Sequence, residues 1–426
     1  MTLIRKIEAS GCGCDGIAGD KGLIRIDEAL SRIETTAGVI AGTEHVALTM
    51  AVGRVLVSSV RPLQMVPPFD NAAMDGYAVR TADLTGHGPW MLPVQARVAA
   101  GERSIERLAA GRAIRIFTGA PVPDGADAVV MQEQVATSDG TITLEQAPEP
   151  QTNIRFAGED MTVGKTIVPA GRRLTPRDIA ACAAAGHASV HVRRRVTAAL
   201  VVTGNEVHRN GPSLEAASIW DVNTPMLSAA MSAVGIDLQS THLVADSRAA
   251  LQDKLGHLAG RVDLIVTTGG ISVGDEDHVK PALAALGGRI SFSGVAMKPG
   301  KPVSFGRLGR SHWLGLPGNP LSAFVTWSLL GRPLIARLSG QVGGLPTRRI
   351  VVARRQVRHR SGRCEFRLAS IVGMDETGRD VVDFGNATHS GRVSTLPDAD
   401  GLICVPSDID TLPEGALIEF HPFSQS

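Results

Sequence analysis

The sequence predicts a multidomain α/β protein with a central doubly wound domain, β-rich modules before it and a small β domain after it. Strands and helices alternate from Val196 to Leu338, as they do in a doubly wound sheet. Short strands separated by turns occupy residues 74–160. After Gly340 the chain returns to strands, which predict a small C-terminal barrel or sandwich.

The elements before residue 195 are predicted to be short. Apolar residues at helical spacing (Ile26, Leu30 and Ile33) indicate the first helix. The turn Ser138-Asp139-Gly140 indicates a hairpin. In chain order we predict a helix over 23–37, a strand over 44–51, a hairpin of 129–132 with 141–144, and a helix over 176–186.

From Val196 the pattern is that of a parallel sheet. Val196–Val202 is a continuous apolar run, typical of a strand buried on both faces. Asp246 is placed to cap a helix, and Asn319-Pro320 combines an N-cap residue with proline at the first helical position. The predicted strands cover 196–202, 236–243, 262–266, 290–296, 302–306 and 312–315, and the helices cover 222–234, 277–286, a segment with Leu251, Leu255 and Leu258, and a long stretch from 319.

The composition excludes several classes of protein. The 426 residues include 43 Lys and Arg against 42 Asp and Glu, which favours neither a nucleic-acid binder nor an acidic disordered chain. No window approaches about 18 consecutive apolar residues, and Met1–Ser10 lacks the apolar core of a secretory signal. The five cysteines are odd in number and scattered, as expected in a reducing compartment. We therefore expect a soluble, cytoplasmic protein that binds neither nucleic acid nor membrane.

Three loops at the carboxyl ends of the predicted parallel strands contain the candidate site. They are Thr203–Glu206, Thr268–Asp277 and Gly315–Pro320. Ligands of doubly wound sheets bind at this edge, and glycines let backbone N–H groups approach a phosphate. One such loop would be explained as a tight turn, but three at one edge predict a phosphate site. The candidate substrate-binding residues in these loops are Gly269, Gly270, Ser272, Gly274, Gly318 and Asn319.

Charged side chains crowd the same loops. Carboxylates at Glu206, Asp246 and 275–277 indicate Mg²⁺, which takes oxygen ligands and bridges phosphates. Capping of the following helix is the alternative for 275–277, and different residues can fill the two roles. Lys298 and Lys301 stand between prolines, where they form either a solvated basic loop or an anion clamp. We favour the anion clamp for the two lysines.

Seven motifs, in order along the chain, closely resemble those of one family. They are Phe69–Arg80, Thr118–Pro123, Gly158–Asp160, Thr203–Glu206, Gly269–Gly274, Met297–Pro302 and Leu316–Pro320. Over about residues 23–426 the sequence is similar to the MoeA family of molybdopterin molybdenumtransferases, which is related to the gephyrin E domain. The resemblance implies Mg²⁺-dependent insertion of molybdate into adenylated molybdopterin, with release of AMP.

The resemblance also implies the site and the assembly. The family's functional positions fall on Asp75, Thr118, Asp160, Glu206, Asp246, Asp277, Lys298, Lys301, Pro317 and Pro320, with Glu206, Asp246 and Asp277 as metal ligands. The implied division is a flexible tail (1–22), a discontinuous linker and dimerisation domain (23–72 and 161–194), a β-rich domain (73–160), a molybdopterin-binding α/β domain (195–340) and a C-terminal β-barrel domain (341–426). The expected partners are a second copy in an elongated homodimer, a molybdopterin adenylyltransferase and molybdoenzyme chaperones.

The sequence departs from the family pattern at three positions. Asn205 replaces the usual Asp, Ala72 replaces the usual Ser, and Gly294 stands where some members have Lys. Two other functions fit parts of the sequence: an adenylyltransferase, which is a related single domain, and a non-catalytic scaffold of the gephyrin type. Asp75 and Thr118 lie outside the single domain and favour the transferase over the first. The retained carboxylates favour it over the second.

Overall fold

The computed structural model describes residues 22–40, 42–102, 106–209, 211, 213–214, 216–271, 277–343, 348–385 and 389–423. The predicted tail, apart from Gly22, lies outside the described residues. So do two candidate site residues, Ser272 and Gly274, and the carboxylates at 275 and 276.

Two segments that are distant in sequence share one core at the N-terminal end. The elements before residue 195 are α1 (Ile26–Thr36), β1 (Thr43–Ala47), β2 (Asn71–Ala72), β3 (Gly76–Val79), β4 (Trp90–Val98), β5 (Ala113–Ile116), β6 (Ala128–Met131), β7 (Val135–Ser138), β8 (Thr141–Leu144), β9 (Ile154–Arg155), α2 (Pro176–Ala184) and β10 (Ser189–Arg193). β1 pairs antiparallel with β10. Leu56 and Val60, which precede the β-rich region, pack with Val168, Leu174 and Val192, which follow it.

The β-rich region forms a six-stranded sheet in the order β6-β3-β5-β4-β8-β7. The predicted hairpin of 129–132 with 141–144 is wrong, because β6 pairs with β3 while β8 pairs with β7. Asp139 and Gly140 both have positive φ angles, of 46° and 73°. A two-residue turn of this kind joins strands that adjoin it directly, so the partner of β8 is the short strand just before the turn.

The central domain contains a second six-stranded sheet. Its elements are β11 (Thr197–Thr203), β12 (Val207–His208), β13 (Ile219–Trp220), α3 (Asn223–Ala233), β14 (Asp237–Val244), α4 (Arg248–Leu258), β15 (Leu264–Thr268), α5 (Val279–Ala285), β16 (Arg289–Ser293), β17 (Met297–Lys298), β18 (Ser304–Leu308), β19 (Ser311–Leu316), α6 (Pro320–Thr326) and α7 (Arg332–Leu338). The sheet order is β14-β11-β15-β19-β18-β16. The first four strands run parallel, β18 runs antiparallel to β19, and β16 runs antiparallel to β18, which confirms the doubly wound prediction.

The helices that follow β11 and β15 cover opposite faces of this sheet. Leu227 of α3 packs into the core on one face, together with Leu334 of α7. Leu255 of α4 and Leu283 of α5 pack into the core on the other face. The topological switch point of the sheet therefore lies between the carboxyl ends of β11 and β15, where open α/β sheets bind ligands.

Two predicted helix caps have different outcomes. Asp246 does not cap α4, because the N-cap is Ser247, whose Oγ accepts a hydrogen bond from the Ala250 N–H at 3.3 Å. Asn319 is the N-cap of α6 with Pro320 at the first helical position, as predicted. α6 then continues through a π-helical stretch, Trp327–Gly331, into α7.

The C-terminal strands close into a barrel. Its elements are β20 (Arg349–Ala353), β21 (Val357–Arg358), β22 (Cys364–Met374), β23 (Asp380–Phe384), β24 (Gly401–Val405), β25 (Thr411–Leu412) and β26 (Leu417–Pro422). The five longer strands pair in the order β22-β23-β20-β26-β24, and β24 pairs again with β22. Of the two predicted alternatives, a barrel and a sandwich, the closed pairing of the strands shows the barrel.

Candidate active site

A cavity of about 530 Å³ opens at the carboxyl ends of β11, β14, β15 and β19. It brings together nine of the sequence-predicted site residues, which are Glu206, Asp246, Gly269, Gly270, Asp277, Pro317, Gly318, Asn319 and Pro320. Within the described ranges, five other candidates are absent from its lining, namely Asp75, Thr118, Asp160, Lys298 and Lys301.

The glycines allow the loops of the cavity to pack against each other. Gly269 has a φ of +93°, and a Cβ built on it would lie 2.2 Å from the carbonyl oxygen of Thr203. A Cβ on Gly318 would lie 3.4 Å from the Cα of Gly269. The backbone of the three loops therefore meets at the switch point with no side chain between the loops.

Asn223 holds these loops in register, and the sequence analysis missed it. Its Nδ2 donates to Thr268 Oγ1 at 3.0 Å and to the Gly318 carbonyl at 2.6 Å. Thr268 Oγ1 in turn donates to the Pro317 carbonyl at 2.8 Å. Asn223 is 8% exposed. The sequence itself shows only an asparagine at the start of an apolar helix, and neither its burial nor these contacts can be read from that.

Asp246 is tied to the first loop instead of to its own helix. Its Oδ1 accepts a hydrogen bond from Thr203 Oγ1 at 3.1 Å, and its backbone N–H donates to Asn205 Oδ1 at 3.1 Å. Asn205, which replaces the family's usual Asp, thus supplies the acceptor that a carboxylate would also supply. The loop geometry does not require a negative charge at position 205.

One carboxylate oxygen of Asp277 has no hydrogen-bond partner among the described residues. Its Oδ2 lies 3.2 Å from Lys280 Nζ, whereas its Oδ1 is buried and accepts no hydrogen bond from the described residues. Burial raises the pKa of Asp277; Lys280 acts against this, and the charge of Asp246 adds to the rise. A cation near both carboxylates would remove this penalty.

The donor set fits Mg²⁺ in chemistry but does not form a complete cage. Glu206, Asp246 and Asp277 all line the cavity with carboxylate oxygens, the ligands that Mg²⁺ prefers. Within the part of the chain that the structure describes, no group of three or more His, Cys, Asp or Glu is close enough to hold a metal ion. Mg²⁺ is usually held by one or two carboxylates, with water and substrate phosphates completing its shell.

Asp75 and Thr118 form a separate pair in the β-rich region. Asp75 Oδ1 accepts hydrogen bonds from the backbone N–H and the Oγ1 of Thr118, both at 2.7 Å. These two bonds lower the pKa of Asp75. Asp160 is exposed, and its backbone N–H donates to the Val66 carbonyl at 3.0 Å.

Lys298 is anchored to the barrel. β17 pairs with β22, and Lys298 Nζ lies 3.3 Å from Oε1 of the buried Glu365. The other oxygen, Glu365 Oε2, lies 3.0 Å from Arg367 Nη2. Burial opposes ionisation, but Arg367 and Lys298 together lower the pKa of Glu365. No sequence pattern indicated Arg367, because its position depends on barrel closure.

The cavity also contacts the barrel through α6. Asn319 Nδ2 donates to Ser390 Oγ at 3.0 Å, and the Leu321 N–H donates to the Ser390 carbonyl at 3.1 Å. The side chain of Asn319 is thus used between domains and makes no capping bond to its own helix. Arg367 and Leu321 line a further cavity of about 660 Å³ on the barrel side.

Three family models match consecutive parts of the chain. Residues 24–186 match the MoeA N-terminal region (domain I and II). Residues 199–337 match a probable molybdopterin binding domain. Residues 351–423 match the MoeA C-terminal region (domain IV).

Full-length relatives agree with these matches. The chain is 33% identical to a molybdopterin molybdenumtransferase of Haemophilus influenzae, over 94% of this chain and 99% of the relative. It is 34% identical to molybdopterin molybdenumtransferase 2 of Mycobacterium tuberculosis, over 88% and 93%. The crystal structure of a molybdopterin biosynthesis moeA protein from Pyrococcus horikoshii superposes with a TM-score of 0.81 at 26% identity, covering 94% of this chain and 100% of that one.

Fold, site and relatives together define a transferase of molybdenum cofactor biosynthesis. Its central unit is a doubly wound α/β domain with a cavity at the switch point. The chain belongs to the MoeA family of molybdopterin molybdenumtransferases.

Proposed function

We propose that the cavity at the switch point binds adenylated molybdopterin and that the protein inserts molybdenum from molybdate into it, with release of AMP. The observation that supports this most is the meeting of Asp246 and Asp277 with three glycine-containing loops in one cavity. Glycine loops accept phosphates, and carboxylates beside them bind the cation that accompanies phosphates.

Within this proposal each residue has a stated task. The backbone around Gly269, Gly270 and Gly318 approaches the substrate's phosphates, and Asn223 keeps those loops in place. One or two of the carboxylates of Glu206, Asp246 and Asp277 would hold Mg²⁺, with water and the substrate's phosphates completing its shell, because among the described residues the three are not close enough to hold the ion together. When bound, Mg²⁺ offsets negative charge on the phosphoanhydride and its leaving group. The buried Oδ1 of Asp277, which accepts no hydrogen bond from the described part of the chain, supports this role.

Lys298 and Arg367 are the proposed attraction for molybdate. Two cations share the single carboxylate of Glu365, so the cluster keeps a net positive charge. The positive field of this cluster would attract the molybdate dianion before it reaches the pterin. Lys301 lies in the same loop and adds to it.

We further propose that the active enzyme is a cytoplasmic homodimer with the domain division given by the family resemblance. Asp75 and Thr118 are bonded to each other and are absent from the described lining of the cavity. In a two-fold dimer the β-rich region of one chain can complete the cavity of the other. The adenylyltransferase and chaperone partners belong to this proposal as well.

Metal dependence tests the proposed reaction. With adenylated molybdopterin and molybdate, AMP release should require Mg²⁺, stop in excess chelator and return when Mg²⁺ is restored. The melting temperature in chelator serves as the control, and it should stay within a few degrees because the described fold contains no carboxylate cage that needs the ion. Undiminished AMP release in excess chelator would overturn the role of the metal.

A further inference from the structure

A second charged feature lies away from the active-site cavity. Between the N-terminal core and the α/β domain is a narrow cleft, here called the arginine cleft, which encloses about 20 Å³. About 10–15 Å³ is enough to hold one water-sized group. Its described lining includes five arginines and no carboxylate; the arginines are Arg54, Arg173, Arg193, Arg194 and Arg195.

Only two of the five arginines have a carboxylate partner in the described part of the chain. Arg54 pairs with Glu44, and Arg194 Nη1 lies 2.6 Å from Asp263 Oδ2. Arg195 Nη1 donates to the Gly235 carbonyl at 3.2 Å, which satisfies a donor but does not neutralise a charge.

Two of the guanidinium groups converge on one point. A Cβ built on Gly235 would lie 3.1 Å from Arg173 Nη2 and 3.3 Å from Arg195 Nη1. Nη2 of Arg173 and Nη1 of Arg195 therefore lie close to the same point beside Gly235, which has no side chain to keep the two cations apart. Burial lowers the pKa of Arg173, and the charges of Arg332 and Arg195 lower it further. Like charges held together away from water are unfavourable unless an anion lies between them.

We propose that the arginine cleft binds a small tetrahedral oxyanion of the phosphate type, with one oxygen between Arg173 and Arg195. Guanidinium groups bind such oxygens with paired, charge-assisted hydrogen bonds. The enclosed volume admits one oxygen atom and leaves the rest of the anion at the mouth of the cleft. The cleft and the active-site cavity share no lining residue.

Anion binding at this position would link two modules. Gly53, Val55 and Arg173 come from the N-terminal core, whereas Arg195 and Gly235 belong to the α/β domain. A ligand that binds only the folded state raises the melting temperature. Anion binding in the arginine cleft does not depend on the proposed reaction, because the cleft lies at the junction between the N-terminal core and the α/β domain.

Thermal unfolding of the full chain with and without oxyanion tests the inference. We compare chloride with inorganic phosphate and with molybdate at equal ionic strength. The variants are Arg173→Met and Arg195→Met, one from each module, and the matched control is Arg177→Met, which removes an exposed arginine of α2. AMP release without phosphate shows whether each variant keeps its fold and basal activity.

The wild type and Arg177→Met should gain several degrees of melting temperature from at least one of the two oxyanions. Arg173→Met and Arg195→Met should lose most of that gain. In chloride, both variants should melt at or above the wild-type temperature, because each has lost a positive charge that was not neutralised. If only one of the two oxyanions raises the melting temperature of the wild type more than that of the cleft variants, that oxyanion is the one that the cleft binds. The proposal would be overturned if the oxyanions raised the melting temperature of all four proteins equally. It would also be overturned if both cleft variants melted below the wild type in chloride.

Discussion

At the scale of single residues, Gly269 is the position where the cavity tolerates least change. Gly269→Ala introduces a methyl group 2.2 Å from a backbone oxygen, at a positive φ. The left-handed conformation alone costs about 1–2 kcal/mol for a residue with a Cβ, and the clash forces the loops apart. We expect AMP release to fall at least about tenfold, since small displacements of positioning groups lower rates strongly.

Gly260→Ala is the matched control for this substitution. Gly260 has a φ of +75°, but a Cβ there meets no atom within 4 Å. It should lose similar stability from the strained backbone and keep its activity. Equal activity loss in both variants would show that strain, and not the approach of the loops, is what matters.

The cavity residues that could be predicted from the sequence are those that directly follow parallel strands. Carboxyl ends of parallel strands meet at one edge, so glycines and carboxylates after those strands were expected together. The cap prediction for Asp246 failed because Ser247 is equally suited to capping and Thr203 competes for the carboxylate. Asn223 and Arg367 could not be found, because both depend on contacts across the fold.

At the scale of elements, one amide couples a helix, a strand and a loop. Asn223→Ala removes both hydrogen bonds from α3 to Thr268 and Gly318. Leaving buried polar groups unpaired costs about 1–3 kcal/mol. We expect a lower melting temperature and a larger KM for adenylated molybdopterin, measured by steady-state AMP release.

Asn223→Asp provides the comparison for that prediction. It keeps the shape but replaces the donating Nδ2 with an acceptor, so it should weaken substrate binding as much as alanine does. A wild-type KM in both variants would contradict the role of Asn223 in holding the loop.

Elements with a strong local signal were predicted well, and those defined by pairing were not. The apolar run at β11 and the leucines of α4 were recognisable because burial fixes their composition. The hairpin at 129–144 failed because β7 is mostly exposed and has a weaker pattern than β6. The order of strands in a sheet depends on distant pairings that no local pattern determines.

At the scale of the whole molecule, the proposed dimer predicts complementation between two inactive variants. Asp75→Ala and Asp277→Ala should each be inactive alone. If each site takes these residues from different chains, a mixed dimer has one site with both lesions and one intact site. Random subunit exchange makes half of the dimers mixed, so activity should recover to about a quarter of wild type. No recovery, with mixed dimers confirmed by mass, would mean that each site is built within one chain.

AMP release by Asp277→Asn decides whether the adenylated substrate is cleaved in the cavity at the switch point. This change keeps the shape of the side chain and removes the charge of a carboxylate whose Oδ1 has no partner within the described ranges. Asp253→Asn, on the exposed face of α4, is the control. We expect AMP release at least about a hundredfold slower in Asp277→Asn, because losing the proposed metal ligand would remove several kcal/mol of transition-state stabilisation. Asp253→Asn should release AMP at the wild-type rate, and the melting temperatures of the wild type and the two variants should be similar. AMP release by Asp277→Asn at the wild-type rate would contradict cleavage in this cavity.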